Sequence, residues 1–87
     1  MKRFKKAAAL KYKPNSDKAP KLVAKGQGVI AEKIIEKAKE HGVFIQKDAD
    51  LVEALTTLDL YEEIPETLYK AVAEILAELY KINKNLT

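Results

Sequence analysis

Residues 21–45, KLVAKGQGVIAEKIIEKAKEHGVFI, hold three segments of different periodicity, and the fold prediction starts from them. The run 21–25 predicts a strand, and the glycines after it predict the turn that ends it. From Val29 the apolar residues recur at helical spacing, and Gly42 stands where a helix would end. The apolar run 43–46 is typical of a buried strand. Strand, helix and strand at this spacing predict a βαβ unit, in which the two strands are parallel with a right-handed crossover.

The flanking residues extend this unit in both directions. Residues 7–12 predict a strand antiparallel to 21–25, and the loop that follows is bracketed by Pro14 and Pro20. Asp48 is a suitable N-cap for a second helix. After a connector at 61–64, a third helix is expected from about 66 to 82, with Pro65 in its first turn. The apolar stripes predicted to face the core comprise Ile30, Ala31, Ile34, Ile35 and Ala38 in the first helix and Leu51, Val52, Leu55 and Leu58 in the second.

These elements predict one α/β domain, with a small mixed sheet of about three strands and three helices packed around it. Its 87 residues suffice for a single domain with a thin core. The expected division is a flexible basic arm at 1–6, the domain at 7–82 and a frayed tail at 83–87. With no cysteine, the chain can form neither disulfides nor thiolate metal sites. The longest apolar run is too short to span a membrane or to form a signal peptide, so a cytoplasmic location is expected.

Charge is distributed unevenly along the chain. Residues 1–28 carry nine Lys/Arg and one Asp, a net charge of +8, whereas residues 29–87 carry seven Lys and twelve Asp/Glu, a net charge of −5. A basic segment of this kind is suited to nucleic acid, an anionic surface or an acidic partner, but it is also compatible with ordinary solubility. Nucleic-acid binding is disfavoured, because no predicted strand carries the aromatic pattern of an RNA-stacking sheet.

The last helix is more apolar than a small domain requires. One apolar stripe, with the spacing of a core face, consists of Leu68, Val72, Ile75, Leu79 and Ile82. A second stripe, rotated by about 100° from it, consists of Tyr69, Ala73, Leu76 and Tyr80. A surface helix usually needs only one such stripe. The second is therefore expected to be covered by the second helix, by the 13–20 loop or by a partner chain.

The chain offers little for catalysis or for cofactor binding. His41 is the only histidine, and its place at a predicted helix end favours a capping role. The Gly26-Gln27-Gly28 turn lacks the third glycine of a dinucleotide-binding fingerprint. The carboxylates are spaced as a helix surface, without a metal-binding motif. The sequence thus predicts no catalytic residue, no metal site and no cofactor.

Three motifs in order resemble the FlhB family of bacterial type III export. The segment 7–12, AAALKY, is similar to the family's A-x-A-L/I-K-Y strand, and 18–26, KAPKLVAKG, is similar to its K-A-P-x-V-V-A-K-G segment. Further on, 64–76, IPETLYKAVAEIL, resembles its I-P-x-x-L-Y-x-A-V-A-E-V-L helix. The resemblance spans residues 7 to about 82, and the flagellar branch fits better than the virulence-secretion branch.

The resemblance implies a role in switching export from rod-and-hook substrates to filament substrates. Members of the family cleave themselves at an Asn-Pro-Thr-His loop, but the four positions before the matching strand here are Lys2, Arg3, Phe4 and Lys5. Self-cleavage is therefore not expected, and the chain is similar to the family's fragment downstream of the cleavage point, standing alone. The family's hydrophobic docking patch for export substrates falls on Ala19, Pro20, Ala73 and Leu76.

Two functional hypotheses follow. The first is a non-catalytic module of the flagellar export apparatus that binds export substrates or apparatus proteins, the membrane-anchored part of a full-length FlhB among them. Such a module would stand in for the C-terminal fragment of that protein at the cytoplasmic face of the apparatus. The alternative is a small basic adaptor that contacts nucleic acid or an anionic surface through residues 1–25.

Overall fold

The computed structural model describes the backbone of residues 5–85 and the side chains of residues 5–82. Its elements in chain order are strand β1 (Lys6–Lys11), strand β2 (Lys21–Gln27), helix α1 (Val29–Glu40), helix α2 (Ala49–Leu55), a 3-10 turn (Glu66–Leu68) and helix α3 (Tyr69–Asn85). They form a mixed α/β domain with three helices, as predicted. Residues 1–4 of the predicted arm and 86–87 of the predicted tail lie outside the described residues. The last helix continues to Asn85, past the predicted end at about residue 82.

The two strands pair antiparallel, which confirms the predicted relation between the first two strands. Lys6 lies opposite Gln27, and Ala9 lies opposite Ala24. A register shift follows Ala9, so that Leu10 pairs with Leu22 and a bulge bends β2. Alanines, which strands do not favour intrinsically, are held in β1 by this pairing and by packing against the core.

The prediction of a third strand at 43–46 was wrong, and so was the prediction of a parallel βαβ unit. The described residues form a two-stranded sheet, and 43–46 has no strand pairing within it. Val43 and Ile45 are 56% and 40% exposed, so this apolar run is not a buried strand. Periodicity could not distinguish a buried strand from an extended segment that packs by its side chains, since both read as a short apolar run.

The connector at 61–64 takes the place of the missing strand. The Leu22 N–H donates to Glu62 O (3.0 Å), the Tyr61 N–H donates to Leu22 O (2.6 Å), and the Ile64 N–H donates to Pro20 O (2.9 Å). An antiparallel bridge also joins Lys21 to Glu63. The second edge of β2 is therefore covered by a segment from much later in the chain, which satisfies backbone groups that burial would otherwise leave unpaired.

Helix α1 has the predicted bounds but differs at one position of its apolar stripe. Ala31 is fully buried, and Ile34, Ile35 and Ala38 are half-buried, whereas Ile30 is 53% exposed. Ile30 lies over the backbone of Gly26 instead of the core, since a Cβ placed on Gly26 would overlap Ile30 Cγ2 and lie 2.8 Å from Ile30 Cβ. Glycine at 26 therefore permits the close approach of α1 to β2.

Helix α1 ends in the motif that the sequence predicted. Gly42 has φ +67°, its N–H donates to Lys39 O (3.2 Å), and the Val43 N–H donates to Ala38 O (2.8 Å). This is the double hydrogen bond of a Schellman cap. His41 lies at the same end, exposed, with Nδ1 2.9 Å from Lys37 O. The histidine thus lies at the helix end where the sequence placed it.

Gly42→Ala is expected to lower the free energy of unfolding by about 1 kcal/mol, because a Cβ is strained at positive φ. No described atom lies within 4 Å of a Cβ at this position, so the backbone conformation is the source of the cost. Urea unfolding of Gly42→Ala and of the parent protein would measure this difference in the free energy of unfolding. Gly42→Asn serves as the control and should be milder, because asparagine tolerates this conformation. Equal stability of Gly42→Ala and the parent protein would contradict the prediction.

Helix α2 and the loop after it supply most of the core. Asp48 caps α2 as predicted, with Oδ1 accepting from the Leu51 N–H at 3.0 Å. The core cluster consists of Ala19, Leu22, Leu51, Leu55, Leu58, Ile64 and Val72. Of the inward residues predicted for the second helix, Val52 is only half-buried, and Leu58 is buried but lies in the loop after α2, which ends at Leu55. Lys6 joins β1 to this helix through an ion pair with Glu53 at 2.7 Å.

Candidate functional site

The loop between β1 and β2 is held in a fixed shape by Asp17. The Lys13 N–H donates to Asp17 Oδ2 at 2.9 Å, and the Ser16 and Asp17 N–H groups donate to Lys13 O at 3.0 and 2.8 Å. Asp17 Oδ1 also lies 3.9 Å from Lys21 Nζ. A side chain that accepts from backbone N–H groups in this way stabilises a turn. The turn brings Ala19 and Pro20 to the surface of the core, where both are buried.

Helix α3 lies beside this loop and is anchored by its first apolar stripe. Val72 is 2% exposed and belongs to the core cluster, and Leu68 and Ile75 pack against that cluster. The hydrogen bond from the Ile64 N–H to Pro20 O holds the connector that precedes α3 against the loop. These three residues of the first stripe face the core, whereas Ile82, predicted in the same stripe, is 39% exposed. The second stripe therefore faces the loop or solvent.

An apolar groove of about 190 Å³ lies between the loop and α3, and we refer to it as the loop–helix groove. Its lining residues are Tyr12, Lys18, Ala19, Pro20, Ile64, Tyr69, Val72, Ala73 and Leu76. Among these described residues, Lys18 alone carries a charge. The floor is built from buried residues, and the rim is exposed at Ala73 and Tyr69.

All four residues named from the sequence line this groove. Ala19 and Pro20 are buried in its loop wall, Ala73 is exposed, and Leu76 is half-buried. The second apolar stripe of α3 is therefore left largely uncovered, with Tyr69 and Tyr80 43% and 71% exposed. Of the covers that the sequence left open, α2 contributes no lining residue in the described chain, and the loop forms the opposite wall without closing the groove.

The sequence did not single out five further lining residues. Tyr69 was placed in the second stripe and Val72 in the first, so their helical spacing could have indicated them. Lys18 directly precedes Ala19 in the chain, and this position could have indicated it as a neighbour of the predicted docking patch. Tyr12 and Ile64 belong to the end of β1 and to the connector, and only the tertiary arrangement brings them to α3.

Neither the histidine nor any carboxylate of the described residues lines this groove. His41 caps α1, and within residues 5–85 no group of three or more histidine and acidic residues is placed to hold a metal ion. Over the same residues, no helix combines the length and apolar character needed to cross a bilayer. The groove is therefore best suited to noncovalent contact with an apolar side chain.

Comparison with known proteins gives consistent matches over nearly the whole chain. The model of the FlhB HrpN YscU SpaS family matches residues 5–79. The chain is 45% identical over 83 residues to YlqH of Bacillus subtilis, covering 95% of this chain and 89% of that protein. It is 47% identical over 72 residues to the flagellar biosynthetic protein FlhB of Aquifex aeolicus, covering 82% of this chain but only 21% of that protein.

A solved structure agrees with these sequence matches. The crystal structure of the PscU C-terminal domain superposes with a TM-score of 0.81 at 25% identity, covering 86% of this chain and 96% of that one. The fold and the sequence thus indicate the same relationship, and the match to the flagellar protein is confined to about a fifth of its length. This chain belongs to the FlhB HrpN YscU SpaS family of type III export proteins.

Proposed function

We propose that this protein is a non-catalytic accessory module of the flagellar type III export apparatus, which binds export substrates or apparatus proteins through the loop–helix groove. The observation that carries the proposal is that Ala19, Pro20, Ala73 and Leu76 line one open apolar groove. At about 190 Å³ the groove is smaller than the roughly 300–1,000 Å³ of small-molecule pockets. It is suited to one or two apolar side chains of a peptide.

The proposed partner class follows from the family and the short matched length. The chain corresponds to about a fifth of full-length FlhB relatives, so it would substitute for their C-terminal fragment in substrate-specificity switching. Its place would then be the cytoplasmic face of the export apparatus. The proposal includes no enzymatic step, since the sequence contains no Asn-Pro-Thr-His motif for self-cleavage.

The free edge of β1 supports a second contact of the same module, with the membrane-anchored part of a full-length FlhB. Over the described residues β1 pairs only with β2, so its other edge presents unpaired backbone groups. Such an edge accepts a strand from another chain. We expect this protein to be captured by a full-length homologue truncated at its own cleavage point. Failure of the two purified proteins to associate would count against this contact.

The alternative, a basic adaptor acting through residues 1–25, is less well supported by the contacts. Lys6 pairs with Glu53, Lys21 lies near Asp17, and Lys25 donates to backbone carbonyls, so these three cations serve the fold. The two hypotheses differ in their response to salt. Electrostatic binding falls steeply as salt increases, whereas apolar docking in the groove persists.

Ala73→Asp tests the proposed function at an exposed position. A carboxylate in an apolar groove must be desolvated when a partner side chain enters, so we expect binding of export substrates to fall by at least roughly tenfold. In cells that lack the C-terminal fragment of FlhB, the parent chain should restore export and Ala73→Asp should not. Leu76→Asp should have the same effect on binding, although its half-buried position also affects stability.

Ala49→Asp is the matched control, because it makes the same change of side chain at an exposed position of α2, which contributes no residue to the groove. It should bind and complement like the parent chain. Circular dichroism of each variant would verify that the fold is retained. If Ala73→Asp and Ala49→Asp complement equally well, the groove is not the docking site.

A further inference from the structure

A second groove lies on the opposite side of α3. Its lining residues are Phe44, Ile45, Gln46, Asp48, Ala71, Glu74, Ile75 and Glu78, and its volume is about 470 Å³. The residues that α3 contributes here are centred roughly 160° around the helix axis from those that line the loop–helix groove. Helix α3 therefore forms a wall between two grooves, and we refer to the second as the acidic groove.

The acidic groove differs from the loop–helix groove in charge. Glu74, Glu78 and Asp48 line it, and no lysine or arginine is among its described lining residues. Asp48 already accepts a hydrogen bond as the cap of α2. Glu74 and Glu78 are exposed and form no ion pair in the part of the chain that the structure describes. They are one helical turn apart, so their carboxylates lie on the same face of α3.

The groove also exposes some apolar surface beside these carboxylates. Ile45 is 40% exposed, and Phe44, Ala71 and Ile75 are half-buried. The segment 43–46 has no strand pairing and instead extends along α3, which leaves part of its apolar surface open. A groove that combines acidic side chains with exposed apolar ones is complementary to an amphipathic segment whose polar side carries the opposite charge.

We propose that the acidic groove binds a basic amphipathic helix or peptide of a partner protein, separately from the loop–helix groove. Apolar side chains of the partner would cover Ile45 and Ala71, while its lysines or arginines would face Glu74 and Glu78. The proposal adds a second binding surface to the proposed function and does not depend on it. A module with two surfaces on one helix could hold an apparatus protein and a substrate at the same time.

The test uses the full chain and a fluorescently labelled synthetic peptide of leucine and lysine. The residues are spaced so that the leucines form one face of a helix and the lysines form the other. Fluorescence anisotropy would measure its affinity. We expect E74K combined with E78K to weaken binding roughly tenfold, because two charge contacts become repulsive. Ile45→Ser should weaken it several-fold, which a purely electrostatic contact would not predict.

The matched control is E36K combined with E40K, which makes the same change in net charge on the exposed surface of α1. This variant and Ala73→Asp should bind the peptide like the parent chain. Equal weakening by both lysine pairs would overturn the proposal in favour of bulk charge. Weakening by Ala73→Asp, or equally tight binding of a peptide with glutamate in place of lysine, would also overturn it. So would a roughly tenfold gain in affinity on removal of residues 1–4, because the chain's own basic residues would then be the occupant.

Discussion

Leu22→Ala is expected to lower the free energy of unfolding by about 3 kcal/mol, the largest stability effect we predict for a single substitution. Leu22 is completely buried and belongs to the core cluster. Its backbone is also paired on both sides, with Leu10 in β1 and with the connector at 61–64. Because these neighbours are fixed by hydrogen bonds, they cannot collapse into the cavity that the substitution leaves.

Thermal unfolding would show the loss as a decrease of roughly 15 °C in Tm, since a domain of this size loses several degrees per kcal/mol. Leu60→Ala is the control, because Leu60 is 49% exposed and its truncation should change stability by less than about 0.5 kcal/mol. A Leu22→Ala protein as stable as Leu60→Ala would show that this residue is not the centre of the core.

Lys25→Met is expected to lower the free energy of unfolding by about 2 kcal/mol, because hydrogen bonds from a charged donor are stronger than neutral ones. Lys25 Nζ donates to Leu58 O at 2.6 Å and to Thr56 O at 3.2 Å, in a partly buried position. These carbonyls follow the end of α2, where a cation also interacts favourably with the helix dipole. Methionine keeps much of the aliphatic stem and removes the donor.

Lys21→Met provides the comparison in the same strand. Its side chain is 45% exposed and lies 3.9 Å from Asp17, a pair that contributes less than about 1 kcal/mol. Urea unfolding of both variants would separate the two roles. If Lys21→Met destabilises the protein as much as Lys25→Met, the contact with the α2 carbonyls is not the reason for the lysine at 25.

These contacts divide the segment 18–26 into two parts with different roles. Lys25 and Gly26 serve the fold, by binding the end of α2 and by admitting Ile30 against the strand. Ala19 and Pro20 instead present one wall of the loop–helix groove. The resemblance of the whole segment to the family motif therefore combines a structural requirement with a proposed docking surface. Substitutions at Lys25 or Gly26 should therefore act on stability. Substitutions at Ala73, in the opposite wall of the groove, should act on binding.

Local signals predicted the three helices, the end of α1 and the start of α2, but α2 ends at Leu55 and α3 runs from Tyr69 to Asn85 instead of from about residue 66 to about residue 82. The Asp48 cap, the Gly42 terminus and the antiparallel pairing of the first two strands are all present in the structure. The two caps depend on residues near one another in the chain, and the preference of one residue type is decisive for each, whereas the strand pairing joins residues as distant as Lys6 and Gln27. The excess apolar stripe on α3 was also predictable, because helical spacing alone defines it.

Which segments meet depends on the packing of the whole domain. The segments 43–46 and 61–64 are both short and lie between helices. The sequence predicted 43–46 as a strand of the sheet, whereas 61–64 is the segment that hydrogen-bonds to β2. Tyr61 adopts a φ of +69°, and the connector after it reaches the free edge of β2. Local pattern cannot specify such a pairing, since it depends on which distant backbone groups remain unpaired once the core has formed.

Sequence pattern alone is thus sufficient for the three helices, the Gly42 and Asp48 caps, the uneven charge and the surplus of apolar surface on α3. The packing of the domain places this surplus against the loop at Ala19 and Pro20 as an open groove, and it places an acidic groove behind the same helix. This is because a helix's own periodicity defines its faces, whereas the packing of distant segments determines which face stays exposed to a partner.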